Sequence, residues 1–251
     1  MMRRSADVTS FREIDLPAYS DHFWEYVERI ETRLGKRIKW HNVADDRSRE
    51  GRGTHVDIGF CKQKYPAVWV DRAQLKGEKS EEALLAHEVT HIELHMIEGY
   101  ASVGCYKECM SELQQKMICF VHIMLEDLVV NTRLKEFGFD RSEDLEENLR
   151  VAFSPGTECL VPPWPREGPR EFRYALYFAG TYLNPWCKSH HRNRLRQVYR
   201  RRYAEALEYA DRMIDIVKST RNVLKREGQW CALTKILAMF DLDRGVFPHD
   251  P

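Results

Sequence analysis

One stretch constrains this chain more than any other. Ala83-Leu84-Leu85-Ala86-His87-Glu88-Val89-Thr90-His91-Ile92, continued by Leu94, Met96 and Ile97, is apolar on most sides of a helix yet carries ionisable groups. At helical spacing Leu84, His87, Glu88, His91 and His95 fall on one stripe. A helix of this composition has to be buried, and burying ionisable groups without partners is costly. Ser80 is the expected N-cap, with Glu81 and Glu82 putting negative charge in the first turn, where the helix dipole favours it. His87 and His91 are one turn apart, so their rings can converge on a single ion. Glu88 follows the first of them and leans over the same point without being needed as a ligand. Two imidazoles and such a carboxylate are the parts that hold zinc and activate a water. The competing explanation is a histidine pair satisfied within the core.

A tetrahedral catalytic zinc needs a third protein ligand and leaves its fourth position to water. The next apolar helical run, about Ser111 to Phe137, carries the adjacent acids Glu126 and Asp127 in its middle. An amphipathic helix would put acids on a polar face, which this run barely has. Asp127 shares its stripe with Phe120, Met124, Asn131 and Leu134. Glu126 sits with His122 and Arg133, a set that also fits a solvated edge.

On these residues the chain resembles the zincin metallopeptidases, in particular the gluzincin-like groups, whose His-Glu-x-x-His helix is followed by a second helix bearing an acidic ligand. The resemblance covers roughly residues 55–137, and only the first motif is specific by itself. It implies Zn2+ held by His87, His91 and either Asp127 or Glu126, with Glu88 as general base. Several such families pair the acid with Asp or Asn four residues later. Asp127 with Asn131 matches that spacing and Glu126 with Val130 does not, so Asp127 is preferred and Glu126 stays as the alternative. Asn131 would then support the metal shell from outside. His95, one turn beyond His91, is a candidate for the same kind of support or for polarising the substrate. The metzincin extension is missing, because positions 94 and 97 hold Leu94 and Ile97. The resemblance further implies a small sheet before the metal helix, with an edge strand receiving an extended peptide; Ala67 to Asp71 is the expected edge. Tyr100, Tyr106, His95, His122 and Arg133 are candidates for stabilising an oxyanion.

The remaining elements follow from periodicity and punctuation. Asp21 to Leu34 reads as an amphipathic helix capped by Gly35, Lys36 to Trp40 as a short strand, Asn42 to Gly53 as a loop, and Thr54 to Phe60 as an alternating strand. A short acidic helix opens at Ser142 and ends near Ala152. A proline-rich connector, Ser154-Pro155-Gly156 and Val161-Pro162-Pro163-Trp164-Pro165, follows it. Helices are expected over Glu171 to Leu183, Asn193 to Val223 and Gln229 to Asp241. The expected fold is α+β and mostly helical: a zincin-like core over residues 1–152 and a helical C-terminal lobe over 153–251, packed on the core as one unit.

Composition narrows the partners. With 39 basic and 39 acidic residues the formal charge is zero, so the chain has no global pull toward nucleic acid or anionic lipid. The run Lys188 to Arg202, with interleaved Tyr, could bind phosphates locally; the plainer reading is a solvated helix face answered by Glu205, Glu208, Asp211 and Asp215. No apolar run reaches membrane-spanning length, and the charged N-terminus is not followed by a signal-peptide core, so a cytoplasmic protein with reduced thiols is expected. The seven cysteines form no Cys-x-x-Cys pair, and Cys105 with Cys109 is at most a second metal half-site. Two functions follow: a zinc peptidase acting on a peptide or protein, or a metal-binding regulator or scaffold of the same fold.

Overall fold

The computed structural model describes residues 13–46, 49, 53–75, 77–105, 110–153, 165 and 167–249. The chain is α+β and mostly helical. It divides into two compact units, Met1–Ile97 and Glu98–Pro251. The boundary expected after residue 152 thus falls inside the second unit, because the helix after the histidine motif shares its apolar core with the C-terminal helices.

In the first unit, α1 (Asp21–Leu34) starts where the Ser20 side chain accepts the Phe23 N–H and stops at Gly35, whose φ of 64° is left-handed. Phe23, Tyr26, Val27 and Ile30 form its buried stripe. The strands β1 (Lys39–Asn42), β2 (His55–Val56) and β3 (Ala67–Val70) make one sheet in the order β1-β3-β2, with β1 parallel and β2 antiparallel to β3. Two expectations are corrected here. The alternating run from Thr54 gives only two residues of strand, since Asp57 accepts the Phe60 N–H at 2.9 Å and caps α2 (Ile58–Gln63) instead. Ala67–Val70 is the central strand rather than an edge. Its four residues are all buried, and an apolar run without alternation suits a strand covered on both faces and paired on both sides. Buried Arg49 sits against the sheet, 4.0 Å over the Trp69 ring and paired with Asp46 at 3.0 Å and Asp57 at 2.8 Å.

The motif helix, α3 (Lys79–Ile92), is capped by Glu78 and not by Ser80, which lies inside its first turn. The reason is the Glu81 carboxylate, which accepts the backbone N–H groups of Gly77 at 2.9 Å and Glu78 at 3.3 Å and closes a capping box two positions earlier. A π-helical turn, Glu93–Ile97, continues α3. Helices α1 and α3 run parallel, and four polar links hold their register. Tyr19 donates to Glu81 at 3.1 Å, Ser20 to Glu82 at 2.7 Å, Tyr26 and Thr90 share a hydrogen bond of 2.6 Å, and Arg29 and Arg33 both reach Glu93.

The second unit is built on α4 (Glu112–Phe137), which a reciprocal Ser111–Gln114 capping box opens and Gly138, at φ 101°, ends. Ile118, Val121 and Leu125 of α4 share a core with residues of α6 (Arg170–Leu183), α7 (Ser189–Arg202), α8 (Ala204–Ser219) and α9 (Arg226–Ala238). The acidic helix is α5 (Ser142–Ala152), as its sequence suggests. The single helix expected from Asn193 to Val223 is two, broken at Tyr203, whose φ is −141°. Tyr203 packs its ring on Tyr174 at 4.4 Å, and Arg196 forks onto Asp211 at 2.6 and 3.1 Å. Those two residues would be about 22 Å apart along one continuous helix, so the ion pair requires the chain to fold back. Strands β4 (Ser102–Cys105) and β5 (Val246–His249) form an antiparallel ladder that the sequence reading misses. Pro248 in β5 masks the strand pattern there. The connector over residues 154–164 lies outside the described residues. Among those residues no helix is long and apolar enough to cross a membrane.

Candidate metal centre

Helix α3 divides its polar groups between two faces. Glu82, Thr90 and Glu93 take the bonds from α1, and Thr90 also donates to the Ala86 carbonyl at 2.7 Å. At 3.6 residues per turn the stripe of His87, Glu88, His91 and His95 lies on the other side of the cylinder. The α1 links therefore fix the rotation of α3 and with it the direction of the histidines.

His87 is buried, His91 half-buried, and their Nε2 atoms are 3.1 Å apart, with the rings edge to face. Two nitrogens at zinc-bonding distance on neighbouring corners of a tetrahedron are about 3.3 Å apart. The pair thus fits the edge of a tetrahedral zinc site with little movement. His95 is buried in the π-helical turn, and ligand nitrogens of His91 and His95 lie within 4.8 Å of each other. Glu88 is half-buried, and its Oε2 accepts the backbone N–H of Val56 on β2 at 3.0 Å. That bond holds the carboxylate in one orientation and leaves the other oxygen as the less committed base.

The acids of the second unit differ from each other. Glu126 is buried, 6 % exposed, with His122 Nδ1 at 3.5 Å from its Oε2, while His122 Nε2 faces the Ala101 carbonyl at 3.3 Å. This is not the solvated edge that the sequence also allowed, and Arg133, expected beside Glu126, forks onto Glu98 at 2.7 and 2.6 Å. Asp127 is half-buried and lines a cavity together with Asn131. Asn131 is 9 % exposed, and its Oδ1 has no hydrogen-bond partner.

Several candidates for an oxyanion donor are engaged elsewhere. Tyr100 donates to the Leu224 carbonyl at 2.7 Å, and burial pushes its hydroxyl up to about 12. Arg133 and His122 have the partners just given, and Tyr106 lies outside the described residues. So do Cys109 and the side chain of Cys105, the suggested half-site; among the described residues Cys61, Cys119, Cys187 and Cys231 form no disulfide. In the basic run, Lys188 pairs with Glu146 at 2.8 Å, and Arg192 and Arg196 lie over the Tyr182 ring.

Sequence reading misses the Val56 hold on Glu88 and the two arginines on Glu93. The arginines had a signal, since Tyr26, Arg29 and Arg33 recur along one face of α1 at helical spacing. No protein-family model matches the chain, and no curated protein or solved structure matches it.

Proposed function

We propose that the chain is a zinc-dependent peptidase in which His87 and His91 are ligands and Glu88 is the general base. The observation that carries this reading is the 3.1 Å approach of the two Nε2 atoms beside a carboxylate oriented by a backbone N–H. The third ligand is assigned to the Glu126-Asp127 pair on sequence spacing. Asp127 is preferred, because Asn131 follows it at the right interval and Glu126 already faces His122. The donor set of two imidazoles and one carboxylate suits zinc better than a hard cation that wants only oxygen. When bound, zinc would polarise the scissile carbonyl and bring the pKa of water to about 7.

The chain's own residues have separable tasks. Glu88 takes the proton from the attacking water and returns it to the leaving amine, which needs a carboxylate held in place but not coordinated. Val56 provides that hold through its N–H. The α1 links through Tyr26, Arg29 and Arg33 keep the histidine face of α3 in register. A metal-binding scaffold without hydrolysis is the alternative, and it has no use for the base at Glu88. The test compares cells expressing wild type and Glu88→Gln by proteome-wide detection of new protein N-termini. Cleavages that depend on Glu88 support the peptidase; identical profiles from two equally abundant, metal-loaded proteins transfer the assignment to the scaffold.

A further inference from the structure

An open groove of about 1070 Å³ lies within the first unit. One wall is a face of α1, and the others are residues 13–16 and residues 36–38, which lead into β1. At 3.6 residues per turn the α1 residues on the groove, Trp24, Glu28 and Glu31, lie opposite Tyr26, Arg29 and Arg33, which bond to Thr90 and Glu93. The groove is thus on the side of α1 turned away from α3, and no histidine is on its lining. In size it is at the upper end of ligand sites, and being open it suits a stretch of chain rather than an enclosed small molecule.

Trp24 is 38 % exposed, while Trp40 and Trp69 of the same unit are buried. A tryptophan left at the surface beside a groove is the kind of residue on which an interface concentrates its binding energy. One turn on from it stands Glu28. On the facing wall Ile14 is buried and donates its N–H to the Trp40 carbonyl at 2.9 Å, so Glu13 and Asp15 on either side of it point away from the core. All three acids are exposed. An aromatic ring that shares a groove with carboxylates favours a cation twice over, through its quadrupole and through their charge, and both disfavour an anion. Glu31 is already engaged, accepting the Ile38 N–H at 2.7 Å. The bases on the lining, Lys36 and Arg37, follow the Gly35 cap, about 17 Å along the helix axis from Trp24. A long polybasic run would meet them, so the groove fits one or two cationic side chains and not a polycation.

We propose that this groove binds a short basic segment of a partner protein, with an arginine or lysine side chain on the Trp24 ring and its charge answered by Glu28 and the acids of the facing wall. The long apolar stems of these side chains suit the ring, and their heads suit the carboxylates. The surface uses no residue of the histidine stripe, so the inference stands apart from the peptidase reading.

The test uses the full-length protein with isotope-labelled tryptophan, followed by NMR, the Trp24 indole signal being the one lost in Trp24→Phe. It is titrated with blocked pentapeptides of glycine and leucine whose central residue is arginine, lysine, norleucine or glutamate. The expected result is that the Trp24 signal shifts with the two basic peptides, which bind at least about tenfold more tightly than the norleucine peptide. That preference should shrink as salt is raised. Glu28→Gln should weaken the basic peptides by about threefold and leave the norleucine peptide unchanged. Equal or tighter binding of the norleucine or glutamate peptide overturns the proposal, as does a Trp24 signal that none of the peptides moves. A Trp24 signal that shifts on raising the protein concentration without peptide assigns the groove to a second copy of the chain and overturns it as well. The comparison among peptides uses the unaltered protein, so it decides even if Glu28→Gln fails to fold.

Discussion

The backbone N–H of Val56 donates to Oε2 of Glu88 at 3.0 Å, tying the proposed base to the two-residue strand β2. Glutamine can keep this bond through its amide oxygen but cannot take a proton from water. Glu88→Gln is therefore expected to leave stability within about 0.5 kcal/mol of wild type while lowering hydrolysis by at least ~100-fold. Glu88→Ala removes the acceptor and should cost about 1 kcal/mol in addition. Urea unfolding of both variants checks the pair. Equal stability of the two would mean that the Val56 bond contributes nothing to holding the base.

Zinc content discriminates among the ligands. The purified protein is expected to carry about one zinc per chain, and His91→Ala to lose it, because a single imidazole cannot replace the converging pair. Asp127→Asn should lose zinc at chelator concentrations that Glu126→Gln withstands. Elemental analysis after dialysis against a graded chelator is the measurement. The opposite order between the two acids would make Glu126 the ligand, and full occupancy in His91→Ala would remove the site altogether.

What could be read from the sequence was local. Helices α1 and α4 have their expected limits because Ser111, Gly35 and Gly138 are caps that act within a turn of themselves. The histidine stripe of α3 was legible for the same reason: its period is written in neighbouring residues. Strand order was not. Ala67–Val70 reads as a strand from composition, but its central place depends on Lys39–Asn42 and His55–Val56 coming to either side. The break at Tyr203 was equally hidden, because helical periodicity continues through it and only the packing of Tyr174 and the pairing of Arg196 with Asp211 require the turn. Glu78 as a cap runs against the usual preference for Ser or Asn, and Glu81 decides it by reaching back. Asn131 fits the spacing of a residue supporting Asp127, yet its buried Oδ1 has no partner, which spacing could not disclose.

The register between α1 and α3 should be measurable through Tyr26. Its hydroxyl lies 2.6 Å from Thr90 Oγ1 in a fully buried position, and Thr90 directly precedes His91. Tyr26→Phe leaves the ring packed and is expected to cost about 1 kcal/mol, while Thr90 retains the Ala86 carbonyl as acceptor. Because the Glu81, Glu82 and Glu93 links remain, zinc affinity should change by less than a factor of about 3. Chemical denaturation and a competitive zinc titration check the two parts. A large loss of zinc affinity in a stable variant would show that this single bond, and not the set of four, orients the histidines.

Acid sensitivity of the first unit should trace to Asp57. Burial opposes its charge, but the Phe60 N–H and the Arg49 guanidinium outweigh that and hold its carboxyl below the ordinary value of 3.8. A folded-state value below the unfolded one means that the charged carboxylate stabilises the fold in full above the unfolded pKa. The contribution is then lost as pH falls through the folded pKa. Asn at this position can still cap α2, so Asp57→Asn isolates the charge on Arg49 from the cap. The expected penalty near neutral pH is about 1 kcal/mol, since Asp57 is partly exposed and solvent screens the pair. It should stay constant down to the ordinary carboxylate range, shrink below it and disappear once the wild-type carboxyl is protonated. Urea midpoints of wild type and variant across that range give the curve. A penalty that persists unchanged into strong acid would assign the effect to hydrogen bonding at Arg49 rather than to charge.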